Sequence, residues 1–158
     1  MDPFALVLLG VHLAGAAIWV GGSVALGVVA TVLGRRDSPD SADDLGRVAR
    51  RLAWVMWPAL LVTILTGLYN LTWAFPGGID PGSTAGRALM AKFTLIAVVL
   101  IAGGAHSFVL GPRLRRARAS GRPPAEVAGL SRWSRNLGIL TTVASLLVLF
   151  AAAFLSGG

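Results

Sequence analysis

Residues 3–34 read PFALVLLGVHLAGAAIWVGGSVALGVVATVLG, and no Asp, Glu, Lys or Arg interrupts them. A helix crossing the hydrocarbon core of a bilayer needs roughly 20 such residues at about 1.5 Å each. This stretch therefore reads as a membrane span with residues to spare. Its length, and Asp2 where a basic leader would stand, separate it from a cleavable signal peptide. Three more stretches repeat the pattern: Leu52 to Ile79, Phe93 to Pro112 and Asn136 to Gly158. The whole 158-residue chain is 55% hydrophobic and only 13% charged, with a mean hydropathy of +0.74, which excludes an ordinary soluble domain. We expect spans over about residues 3–34, 48–74, 86–111 and 132–156. They would form an all-α, up-down-up-down four-helix bundle, a single transmembrane domain over 1–158.

The charges orient this bundle. Arg35, Arg36, Arg47, Arg50 and Arg51 fall between the first two spans, and Arg113, Arg115, Arg116, Arg118, Arg122, Arg132 and Arg135 between the last two. Only Arg87 lies on the opposite side outside a span. The positive-inside rule then places both arginine-rich connections in the cytoplasm and both termini outside, in a plasma membrane. Topogenic charge and anionic lipid account for the formal net charge of +7, so nucleic acid is not an expected partner. The first connection, Arg35 to Gly46, carries turn chemistry in its Ser-Pro-Asp-Ser piece, and the loop from Phe75 to Ala85 holds Pro76, Gly77, Gly78, Pro81 and Gly82. Ser83 or Thr84 offers an N-cap for the third span.

Within the spans few residues can do chemistry. There is no cysteine, and no Asp or Glu falls inside a span, which leaves thiolate chemistry and carboxylate-driven hydrolysis without their groups. An ionisable residue inside a membrane is a functional-site hypothesis, and three qualify: His12, Lys92 and His106. Measured at about 1.5 Å per residue from the expected span starts, His12 lies about 13 Å deep, Lys92 about 9 Å and His106 about 30 Å. His12 and Lys92 thus share a level, and His106 belongs near the other face. Positions three and four apart share a helix stripe. One such stripe runs Leu8, His12, Gly15, Trp19, Gly22, Leu26, and another runs Lys92, Leu95, Val99, Ala102, His106. Glycines beside His12 would leave room for a flat ligand.

Other residues have plainer readings. Ala14, Ala17, Gly21, Ser23 and Gly27 would let the first helix approach a neighbour or a second copy closely. Trp73 and Phe75 near one boundary, with Trp54, Trp57 and Trp133 near the other, fit interfacial aromatic belts. His12 and His106 could simply bond across helices, and Lys92 could reach the surface along its own stem.

The segments VHLAGAAIWVGGSVALG, TGLYN and GRALMAKFTLIAVVLIAGGAHSF together resemble the copper resistance D (CopD) family of membrane proteins. The residues matching that family are His12, Trp19, Gly21 and Gly22 in the first helix, with Arg87 and Lys92 at the third. The histidine and lysine placement is also similar to HemJ-type protoporphyrinogen oxidases, which are linked to haem b. The arginine that those enzymes carry after the first helix's aromatic-glycine segment has no counterpart at Ser23 to Val32. Both resemblances imply a metal or haem near His12. The expectation is a haem b protein with redox or small-gas chemistry. His12 would be the axial ligand, Gly15, Trp19 and Gly22 would line the slot, and Arg87 and Lys92 would meet propionates. His106 would offer a possible second site. An electron donor, a small gas or a porphyrin would be its partner. Copper handling is the alternative cargo chemistry, with His and Met as candidate donors, and a colourless structural subunit is the third reading.

Overall fold

A computed structural model describes residues 3–34 and 39–156. Helix α1 covers Pro3–Gly34, α2 Pro39–Ala74 and α3 Thr84–Gly104. A π-helical segment, Ala105–Leu110, runs without a break into α4, Gly111–Ala119, and α5 covers Pro124–Ser156. The described residues are helical apart from the 75–83 loop and a short turn before α5, and four helical stretches are long and apolar enough to cross a membrane. The all-α four-helix expectation holds.

Two connections differ from expectation. Arg35, Arg36 and Asp37 lie outside the described residues, but α2 already begins at Pro39, so most of the expected first connector is helix. The second arginine-rich segment is also largely helical, as α4 and the first turns of α5. Its turn is a Schellman closure. Gly121, at φ +64°, lets Arg122 N–H donate to the Ala117 carbonyl at 3.1 Å, and Pro124 then opens α5. At the other end Ser83 caps α3, its Oγ accepting from Gly86 N–H at 2.9 Å.

Packing comes in two antiparallel pairs, α1 on α2 and α3 on α5, with α1 touching α5 across the middle. Lipid tails are as apolar as leucine, so close van der Waals fit between helices must hold these pairs. Glycine supplies the fit. A Cβ on Gly15 would stand 2.3 Å from Thr63 Oγ1 and 2.9 Å from the Ala59 carbonyl oxygen, and one on Gly22 would stand 2.7 Å from Met56 Sδ. The expectation that Ala14, Ala17, Gly21 and Gly27 mediate this approach is corrected: all four face outward, and Gly21 and Gly27 have nothing near them. Only Ser23 of that set is buried. The helix turns its Gly15 and Gly22 stripe to α2 because only there can the backbones meet. We expect Gly15→Ala to destabilise the α1–α2 pair by about 1–3 kcal/mol, because the new methyl meets a backbone carbonyl that cannot rotate away. Unfolding with increasing denaturing detergent would measure this. Gly21→Ala, in open space, should leave the midpoint unmoved.

The centre of the bundle is the cluster Trp19, Met56, Leu60, Val99 and Ala144. Trp19 joins all four long helices there. Its Nε1–H donates to Ser145 Oγ on α5 at 2.9 Å, and its ring lies 5.3 Å from that of Trp57 on α2. The ring edge also comes within 3.8 Å of where a Gly103 Cβ would sit on α3. Trp54, Trp73 and Trp133 are exposed, as interfacial belts require. Trp57 is not a belt residue, since it packs edge-on to Trp19 and tilted against Phe108.

Candidate functional site

His12 sits on the inward stripe of α1, half-buried, with Gly15 and Trp19 buried below it. Its Nδ1 lies 2.8 Å from the Thr63 carbonyl oxygen and 3.3 Å from Thr66 Oγ1. A carbonyl can only accept, so Nδ1 carries the proton and Nε2 keeps its lone pair. Among the described residues Nε2 has no hydrogen-bond partner. This is how a metal-binding histidine is usually prepared: one nitrogen fixed to a carbonyl, the other aimed outward as a donor.

The local sequence of α2 makes this possible. Thr63 and Thr66 send their own hydroxyl protons back to the Ala59 and Val62 carbonyls, at 2.8 and 2.7 Å. Gly67 provides the space, because a Cβ there would stand 2.8 Å from His12 Cε1. Asn70 continues the same stripe one turn toward the 75–83 loop, and its buried side-chain Nδ2 has no acceptor. Thr63, Thr66, Gly67 and Asn70 are not among the residues that the sequence singles out as ionisable. Their signal was there: three polar residues at positions 63, 66 and 70, one helical stripe in an otherwise uncharged span.

Lys92 lies half-buried on α3. Its ammonium has no hydrogen-bond or ion-pair partner among the described residues. Arg87 is exposed and clasps the loop, donating to the Gly82 carbonyl and reaching Thr84 Oγ1 at 3.4 Å. It braces the start of α3.

The space for a flat ligand beside His12 is a second correction. Gly15 is filled by Thr63 and Ala59, and Gly22 by Met56. Trp19 is enclosed with its N–H already satisfied by Ser145. A porphyrin between α1 and α2 would have to separate a pair whose backbones are in contact, so this geometry does not support haem.

His106 lies on the π-helical segment, away from His12. Its Nδ1 is 3.3 Å from Ser134 Oγ, and its ring packs on Gly138 of α5. Among the described residues no three of His, Asp and Glu gather as a metal site. Of the methionines within spans, Met90 is 60% exposed and Met56 lies at Gly22, ten residues from His12 and about 15 Å along the axis. His12 is therefore a single imidazole donor.

A family model described as copper resistance protein D matches residues 46–155, more than half of the chain. The matched region takes in α2 from Gly46 and all of α3 to α5 up to residue 155, so Thr63, Gly67, Asn70 and Lys92 fall inside it and His12 outside. No curated protein and no solved structure matches.

Proposed function

This chain belongs to the copper resistance protein D family, and from that premise we propose that it handles copper in a cell membrane, with His12 as the metal's contact inside the bundle. The observation that carries the site is the imidazole held by the Thr63 carbonyl with Nε2 left as a free donor. A borderline nitrogen suits copper in either common oxidation state, and here copper is cargo. One protein donor gives a weak, exchangeable contact, which fits passage or hand-over better than storage. The half-buried His12 would receive the ion from the side carrying the 75–83 loop. By the distribution of arginines that side is the outer face of the plasma membrane, with both termini outside.

What favours copper over haem is the family together with the filled glycine face. Haem would need an open slot beside His12, whereas a copper ion needs only the lone pair on Nε2.

The test is to purify the protein in mild detergent, bring it to equilibrium with Cu(I) under ascorbate in competition with a chromophoric chelator, count bound copper and iron, and record the visible spectrum. Stoichiometric copper and no Soret band are expected. A Soret band with stoichiometric iron in the isolated protein would restore the haem reading. Neither metal, even after loading, would leave a structural subunit.

A further inference from the structure

Helix α5 turns two faces to different surroundings where it enters the membrane. Ser134 and Gly138 face inward against His106. Gly129, Arg132, Trp133 and Asn136, spaced three and four apart along another stripe, line a notch of about 270 Å³. Gly129 keeps it open, since a Cβ there would meet nothing within 4 Å. Arg132, Trp133 and Asn136 are exposed, and their guanidinium, indole N–H and carboxamide meet no protein partner among the described residues. The one acid of α5, Glu126, is already bonded to Arg122, so nothing on its own helix offsets the charge of Arg132. The uncharged run of this span begins at Asn136, which puts the notch at the edge of the hydrocarbon, where lipid headgroups lie.

We propose that this notch seats the phosphate of an anionic phospholipid of the phosphatidylglycerol type, in the leaflet that adjoins the arginine-rich connections. The Arg132 guanidinium and the Asn136 amide donate to the phosphate oxygens, the guanidinium as a planar fork that matches two of them. The Trp133 ring lies along the glycerol and the first acyl carbons, where an apolar body with a polar tip is at home. The site favours a lipid of net negative charge over a zwitterionic one, whose own cation would be brought beside Arg132. It differs from the diffuse attraction of basic connections for an anionic surface, because shape and a neutral amide take part as well as charge. Neither the site nor its test depends on copper.

The test is native mass spectrometry of the full chain in an uncharged detergent, titrated with phosphatidylglycerol or with phosphatidylcholine of the same acyl chains. We expect phosphatidylglycerol to fill a first site at least about fivefold more tightly than phosphatidylcholine. Arg132→Gln should weaken that site by about fivefold or more. Arg116→Gln removes the same charge from an exposed position on α4 outside the notch, and should weaken it by less than about twofold. Gly129→Leu fills the notch without altering charge and has open space for its side chain, so it should weaken phosphatidylglycerol binding while the unfolding midpoint in denaturing detergent holds. Loss in both Arg132→Gln and Gly129→Leu supports the proposal. Equal losses in Arg132→Gln and Arg116→Gln, with Gly129→Leu binding like wild type, overturn it, because charge alone then draws the lipid. Equal binding of the two lipids by wild type also overturns it. Inorganic phosphate that displaces phosphatidylglycerol from wild type at equal concentration overturns the lipid as occupant in favour of a soluble anion.

Discussion

Replacing Trp19 with alanine is expected to destabilise the folded bundle by about 3–5 kcal/mol, the range for deleting a fully packed aromatic side chain. Trp19 is 5% exposed and touches the other three long helices, through Ser145, Trp57 and the Gly103 face. The void left by alanine would lie where the helices converge, out of reach of lipid tails. The indole hydrogen bond contributes the smaller share: Ser145 donates to the Thr141 carbonyl at 2.8 Å in either case. Trp19→Phe should therefore keep most of the stability, losing about 1 kcal/mol. The measurement is loss of helical circular dichroism or tryptophan emission as denaturing detergent is raised. Trp54→Ala is the control, since Trp54 is 82% exposed and should change stability by no more than about 0.5 kcal/mol. Equal effects at Trp19 and Trp54 would mean that the bundle does not converge on Trp19.

The same residue shows how far the sequence could be read. Uncharged runs fix the four spans because charge in a bilayer is costly wherever it falls, and the three-and-four spacing fixes the inward stripes because helix geometry is the same everywhere. Leu8, His12, Gly15, Trp19, Gly22 and Leu26 all turn inward or partly inward, as do Lys92, Leu95, Val99, Ala102 and His106. Composition alone does not say which glycines face a neighbour. Gly21 and Gly22 are adjacent and look alike in the sequence, yet one is in open space and the other meets Met56. That choice is made by Thr63, Ala59 and Met56 on another helix, so it exists only once α1 and α2 are paired.

The π-helical segment is not legible in the sequence for a related reason. Its defining hydrogen bond, from Gly111 N–H to the His106 carbonyl, is a local widening that leaves no composition signature. The helical start of α2 at Pro39 and the helical arginine segment α4 are hidden in the sequence because charge and turn residues are also the signature of a loop. Arginine is a good helix former, and a helix can continue past the bilayer surface.

His12→Ala is expected to abolish Cu(I) binding measured at equilibrium, because it removes the imidazole donor of the site. Loss on its own would fit any change that loosened α1, so the decisive comparison is Gly67→Ala. That substitution removes no donor. Its methyl would stand 2.8 Å from His12 Cε1, so the ring must move off the Thr63 carbonyl. Disturbing the partner that orients a metal-binding histidine typically lowers affinity by about 10–100-fold. We expect Gly67→Ala to fall in that range, with unfolding shifted far less than in Trp19→Ala. His106→Ala, at the other face and bonded to Ser134, should leave copper retention at His12 unchanged. Gly67→Ala binding copper as well as wild type would mean that the bond between His12 and Thr63 does not prepare the ligand. Loss in His106→Ala alone would move the copper contact to the π-helical segment. Loss in His12→Ala and Gly67→Ala together, with His106→Ala intact, is the pattern that only an oriented imidazole at His12 produces.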